Sequence, residues 1–346
     1  MADRHNVIFE AARLHYEEGL KQDDVARRLR VSRPTAARYL AMAKEMGYVH
    51  IRVLDPKGHA YLHDLEIALT EKYPRLREVI LTSSRPESLT PGHLAARRAV
   101  ADEMAERAAG RVDYLLTSRR RSEPPVVAVA RGEMIDNVIR HIRPSRPLPE
   151  LEVLPMLGYL RSREYPYDAN RLAQELARIY SGNYEWIPAP AVVTDEEALV
   201  VRNMPLVAAP LGKLSRDVNV VLTSLSCPHL TNAKGETVLR EQTLLQSGRV
   251  EKDAIRELVL REGAVGEICG WYYNDEKIIM PPGVDLLGLS PERQREMAAD
   301  PERHVIGVAG GDPDRFAAVR AAIRLGLINV LVTDYLTAHR LLEQGG

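Results

Sequence analysis

Cysteine is nearly absent: Cys227 and Cys269 stand far apart in 346 residues with no Cys-x-x-Cys pair, which excludes zinc ribbons and disulfide frameworks and leaves both as core filler. No apolar run reaches the roughly 18 residues that a spanning helix needs. The opening MADRHNVIFEAARLHYEEG has acids along a helical pattern and lacks the basic-apolar-small layout of a signal peptide, so the cytoplasm is the expected location. Gly-x-Ser-x-Gly, Walker A and His-Glu-x-x-His motifs are all missing, and histidines such as His93, His141, His229 and His304 are scattered without a partner motif. His59 and His63 are four apart but have no third ligand nearby, so neither a metal, a cofactor nor a catalytic residue is expected. Charge of neither sign dominates: 47 Lys and Arg face 48 Asp and Glu, and any nucleic-acid contact must come from local clustering.

Such a cluster exists in KQDDVARRLRVSRPTAARYL, where Arg27, Arg28, Arg30, Arg33 and Arg38 lie close together. Apolar residues from Val7 to Tyr16 recur at helical period up to Gly19, a second pattern spans Gln22 to Leu29, and a third spans Arg33 to Met46 with Ala36, Leu40 and Ala43 inward. Ser32 is a good N-cap, and Pro34 falls in the first turn, where its missing N–H has no intrahelical partner to lose. Two helices joined by a turn of about three residues form a helix-turn-helix, whose second helix presents its N-terminal residues to the major groove of double-stranded operator DNA. Gln22, Ser32, Arg33, Pro34, Thr35, Arg38 and Tyr39 are the expected DNA contacts, with Arg33, Thr35, Arg38 and Tyr39 pointing outward. The following GYVHIRVLDP has the character of a winged variant's strand pair, placing His50, Arg52 and Lys57 near phosphates.

The length allows two or three domains. Residues 1–57 form the helix-turn-helix domain. Residues 58–74 form a linker helix whose Leu62, Leu65 and Leu69 stripe can pack on its own domain or on a twin, and is the candidate contact for self-association as a dimer or tetramer. In 75–346, apolar runs (LREVILT, VVAVA, LEVLPML, VNVVLTS, HVIGVAGG, INVLVTD) alternate with helical stretches, which predicts an α/β Rossmann-like domain with a mostly parallel sheet covered on both faces. Ligands in such sheets collect at the carboxyl ends of the strands. The glycines at 263, 266, 310 and 311 suit either backbone approach to a ligand or simple turns.

EGLKQDDVARRLRVSRPTAARYLAMAKEMGYVHI, together with GAVGEICGWYYN from Gly263 and VAGGDPDRFAAVRAAIRLGLINVLVTDYLTA, resembles the SorC family of bacterial transcriptional regulators. The resemblance covers nearly the whole chain. It implies a sugar or sugar-phosphate effector domain related to glucosamine-6-phosphate deaminase and ribose-5-phosphate isomerase, in a protein that is usually tetrameric. Asp168 and Asn170 match the family's Asp-x-Asn element, Glu267 follows the Gly263 loop, and Arg315 falls where a lysine is frequent. The departures are informative. Arg30 replaces the usual turn glycine, and Ala37 the usual serine. Arg131-Gly132-Glu133-Met134 stands where a glycine and a phosphate-holding threonine are common, and Leu157 or a neighbour stands where some members carry a phosphate-binding arginine.

The effector residues implied are Arg131, Gly132, Glu133, Asp168, Asn170, Gly263, Gly266, Glu267, Gly310, Gly311 and Arg315. With a carboxylate at Glu133, an unphosphorylated sugar or polyol is expected, because carboxylates accept hydroxyl donors and repel phosphate. A DNA-binding regulator controlled by that effector is the leading expectation. Its rivals are a sugar-phosphate isomerase or deaminase with an added DNA-binding domain, and a nucleic-acid module with a degenerate second domain.

Overall fold

A computed structural model describes residues 2–45, 49, 56–83, 94–118, 124–160, 167–231, 237–240 and 243–344. The chain divides into two compact units, Met1–His59 and Ala60–Gly346.

In the first unit, α1 (Ala2–Ala12) widens into a π-helical turn over Arg13–Glu17, followed by α2 (Gln22–Leu29) and α3 (Arg33–Glu45). Ala11, Leu14, Val25, Ala26, Ala36 and Leu40 close one small core, and Ile8, Ala12 and Ala43 extend it. Arg30 ends α2 at φ 53°, ψ 44°, the left-handed conformation that glycine adopts freely and that costs a side chain about 1 kcal/mol. Of the strand pair expected over 47–56, the described residues include only Val49 and Pro56, and Pro56 begins the next helix.

The helix α4 (Pro56–Lys72) carries the leucine stripe. Leu69 is fully buried, and Leu62 and Leu65 are half-buried against the core of the second unit, so the stripe packs at least in part on its own domain.

The second unit is built on a parallel sheet of seven strands: β1 (Glu78–Thr82), β2 (Val126–Val129), β3 (Glu152–Pro155), β4 (Asn183–Tyr184), β5 (Val220–Ser224), β6 (His304–Val308) and β7 (Val330–Asp334). Their order across the sheet is β1-β7-β6-β5-β2-β3-β4. Every residue of β2 and β7 is buried, which requires cover on both faces and explains why these strands read as unbroken apolar runs. Cover comes in part from α5 (Leu94–Thr117), α6 (Glu133–His141) and α7 (Ala169–Tyr180), and from the helices Pro291–Ala299, Phe316–Leu325 and Tyr335–Gln344. From β2 the chain moves outward to β3 and β4. From β5 it moves the other way to β6 and β7. The order therefore diverges between the neighbours β2 and β5, where an open parallel sheet leaves a crevice at its carboxyl edge.

Candidate functional site

The first candidate surface is the arginine-rich end of α3. Ser32 Oγ accepts the Thr35 N–H at 3.3 Å and lies 2.8 Å from Thr35 Oγ1, so this helix begins at a serine cap with Pro34 in its first turn. Ser32, Arg33, Pro34 and Arg38 are exposed, while Gln22 and Thr35 are half-buried. Arg33 Nε lies 3.2 Å from Asp23 Oδ1, an exposed pair that ties the start of α3 to α2 and contributes little stability. Tyr39 is half-buried and packs against both small apolar clusters.

The second candidate is a cleft of about 870 Å³ at the carboxyl ends of β2, β5 and β6, at the divergence point of the sheet. Arg131, Gly132 and Glu133 follow β2, Ser224 and Ser226 end β5, and Gly310 and Gly311 follow β6. Gly132 has φ 120° as the N-cap of α6 and donates its N–H to Tyr167 O at 3.0 Å. A Cβ at Gly310 would stand 2.3 Å from Asp334 Oδ2, so close approach demands glycine there.

Six arginines (Arg97, Arg98, Arg131, Arg140, Arg240, Arg315) and five carboxylates (Asp102, Glu133, Asp136, Glu267, Asp312) line the wall. Several of them pair with one another. Arg240 and Arg97 lie 3.0 and 3.7 Å from Asp312, and Arg140 lies 2.6 Å from the buried Asp136, which also takes Arg171 at 3.1 Å. Burial lowers the pKa of the Arg315 guanidinium, with Asp312 and Glu133 among the charges that oppose it.

Glu267 is, with Asp136, a buried carboxyl group of the wall. It accepts Thr243 Oγ1 at 2.7 Å and the Gly270 N–H. Burial pushes its carboxyl above the ordinary range, and these donors and the Arg131 charge pull it back only in part. Burial also pushes the neighbouring Cys269 thiol up to about 12, leaving it an unreactive wall residue. A carboxyl with a raised native pKa keeps its proton where the unfolded chain has lost it. Its contribution to stability is therefore full below the unfolded value near 4.5 and is lost as pH rises through the native one. Thermal melts of the parent and Glu267→Gln between about pH 4 and about pH 8 should show the parent losing stability relative to the variant as pH rises. Parallel curves would contradict a raised Glu267.

Four expected effector residues lie off this wall. Asp168 caps α7 through the Asn170 N–H at 2.9 Å, and Asn170 Oδ1 accepts the Ile187 N–H at 3.0 Å, so their oxygens hold backbone. Gly263 forms an open turn at φ 68°, and a Cβ at Gly266 would strike the Tyr273 ring at 2.2 Å. Leu157 is buried and bridges to Gly288, so it neither supplies nor removes a ligand contact. Conversely, Arg97, Arg98 and Asp102 of α5 escaped notice. Their signal was a helical face charged within an alanine-rich stretch, which reads equally well as solvated surface.

The family described as "Putative sugar-binding domain" matches residues 60–343, and the chain belongs to it. The likeness extends to whole regulators. The deoxyribonucleoside regulator of Bacillus subtilis (strain 168) is 25% identical over 342 residues, covering 99% of this chain and 98% of that one. The sorbitol operon regulator of Klebsiella pneumoniae is 22% identical over 348 residues, 99% of both chains. The crystal structure of full-length SorC, that sorbitol operon regulator, superposes with a TM-score of 0.72 at 21% identity, covering 97% of this chain and 98% of its own. The SorC-type architecture read from the sequence, an N-terminal helical unit followed by a parallel-sheet unit, is the fold observed. No helix among the described residues is long and apolar enough to cross a membrane.

Proposed function

We propose that the chain is a DNA-binding transcriptional regulator whose operator affinity is controlled by a neutral polyhydroxylated effector, a sugar or polyol, held in the cleft at the β2–β5 crevice. It acts in the cytoplasm as a dimer or tetramer, without metal or cofactor, and turns over no substrate. The observation that carries this reading is the mixture of charge on the cleft wall, six arginines beside five carboxyl groups, with Arg97, Arg140 and Arg240 already paired to Asp312 or Asp136. Such pairs present donors and acceptors side by side, which suits vicinal hydroxyls. A phosphate would have to displace these partners, and at the start of α6, where a helix N-terminus favours an anion, it would meet the Glu133 carboxylate. The Arg33 and Arg38 end of α3 is the proposed DNA surface.

Isothermal titration of matched pairs, a free sugar or polyol against its phosphate ester, tests the effector class. The free compounds should bind tighter, and Glu133→Thr should shift preference toward the esters by about tenfold, the effect of removing roughly 1.4 kcal/mol of charge repulsion. Consistently tighter binding of esters to the parent protein overturns the neutral-effector reading. The buried Glu267, with its raised pKa, is the one group suited to proton transfer and favours the isomerase rival. Turnover of a sugar or sugar phosphate that disappears in Glu267→Gln would replace the regulator reading with that one.

A further inference from the structure

The turn between α2 and α3 contains a residue whose side chain the fold does not use. The Arg30 N–H donates to Arg27 O at 3.2 Å and the Val31 N–H to Ala26 O at 3.0 Å, a paired helix closure that requires the left-handed conformation at Arg30. Val31 then packs in the same small core as Ala26, so backbone bonds and Val31 set the path of the chain. Glycine follows that path without strain, and asparagine is the usual second choice. This chain carries an exposed arginine there instead. The arginines around it are engaged with carboxylates. Arg27 pairs with Asp24, Arg33 lies 3.2 Å from Asp23, and Arg28 is within electrostatic reach of Glu10. Of the five arginines between Gln22 and Leu40, Arg30 and Arg38 alone have no carboxylate partner among the described residues.

We propose that Arg30 grips a phosphate of the DNA backbone at the rim of the groove that α3 enters. The inference rests on the proposed reading of α3 as a recognition helix. Arg30 stands two residues before the cap Ser32, at most about 7 Å along the chain, which is within reach of an extended arginine side chain. A recognition helix sets its first turn against base edges, so the residues just ahead of it lie where the phosphate backbone borders the groove. Charge selects the same partner. Gln22 to Leu40 holds five arginines and two aspartates, a net charge of +3, and both aspartates are already matched by Arg27 and Arg33. A phosphate contact carries no sequence information, so Arg30 adds affinity for any duplex and fixes how α3 sits on it, while Arg33 and Arg38 remain the residues for base edges. The strained turn gives up some stability and gains a cation at the groove's rim.

The test uses the full chain and a labelled duplex of random sequence, about 30 base pairs long, because a phosphate contact needs no operator. Fluorescence anisotropy is read across a KCl series from about 50 to about 200 mM. The proteins are the parent, Arg30→Gly, Arg30→Lys and, as a control for losing one exposed positive charge in the other unit, Arg261→Ala. Arg30→Gly should bind about tenfold more weakly at about 100 mM, as for a lost hydrogen bond to a charged group, and the slope of log Kd against log[KCl] should fall by about 0.9, the share of one phosphate. Its melting temperature should equal or exceed that of the parent, because glycine enters the left-handed turn without strain, so unfolding does not account for the weaker binding. Arg30→Lys keeps the charge and should recover most of the affinity and slope, and Arg261→Ala should match the parent. An Arg30→Gly protein with parental affinity and slope overturns the inference and leaves the regulator reading standing. Weaker binding with an unchanged slope also overturns it, since the loss then comes from the turn and not from the charge. A parent that binds no duplex even at the lowest salt overturns the regulator reading, and the inference with it.

Discussion

Replacing Arg38 or Arg33 by alanine is expected to weaken operator binding by about 5- to 150-fold each, the equivalent of the roughly 1 to 3 kcal/mol carried by one bidentate base contact. Both guanidiniums are exposed on the first turns of α3, where a recognition helix meets base edges. Folding should be almost untouched, because Arg33 is exposed and pairs with the exposed Asp23, and surface pairs of this kind contribute about 0 to 1 kcal/mol. Fluorescence anisotropy with operator and scrambled duplexes distinguishes the two ways an arginine can act. A base-reading arginine loses operator affinity selectively, while a phosphate-binding one weakens both duplexes and reduces the salt slope by about one. Unchanged affinity in both variants would move the recognition surface elsewhere.

Asp334→Ala should be the most destabilising polar substitution in the effector domain. Asp334 is buried at the end of β7, where Oδ2 accepts the Gly311 N–H and Thr337 Oγ1, each at 2.7 Å, and Oδ1 accepts the Leu336 and Thr337 N–H groups at 3.0 and 3.2 Å. Alanine strands these donors and uncaps the helix Tyr335–Gln344. At about 1 to 3 kcal/mol for each buried group left unsatisfied, and with partial relaxation, a loss of about 3 to 5 kcal/mol is expected. For a domain of this size the Tm should fall by on the order of 10 °C. Because the Gly311 N–H is one of the four donors, the glycine loop of the cleft should loosen as well and effector affinity should fall with stability. Asp334→Asn, which keeps one acceptor oxygen, should recover part of both. A loss under about 1 kcal/mol in thermal or urea unfolding would show that water replaces the carboxylate.

Legibility in the sequence followed the range of the interactions. The helix-turn-helix was legible because its determinants are local: a cap at Ser32, a proline in the first turn and a small set of apolar positions at helical spacing. Even the cost of Arg30 could be anticipated from one backbone position, which proves to be left-handed. Six of the seven sheet strands stood out as apolar runs because both faces of the sheet are covered. The two-residue β4 was too short to leave a pattern. The stretches after β2 and β6 were suspected because strand ends in a parallel sheet are where ligands collect, and both line the cleft.

Side-chain direction was decided by the tertiary structure alone. The sequence by itself determined the two-part architecture, the arginine-rich recognition helix and the loops at the carboxyl edge of the sheet. It could not reveal that Asp168 and Asn170 turn their oxygens to backbone N–H groups, because a capping carboxylate and a ligand-binding one look alike until their donors are known. Nor could it join Arg97 of α5, Arg240 and Asp312 into one ion-pair network, since those residues are brought together by packing across more than two hundred positions. The leucine stripe of α4 and the apolar stretch around Leu199 and Leu206 carry the same lesson. Both are amphipathic patterns, and only the assembled fold shows that Leu69 of the first is fully buried in its own domain while Leu199 and Leu206 face solvent.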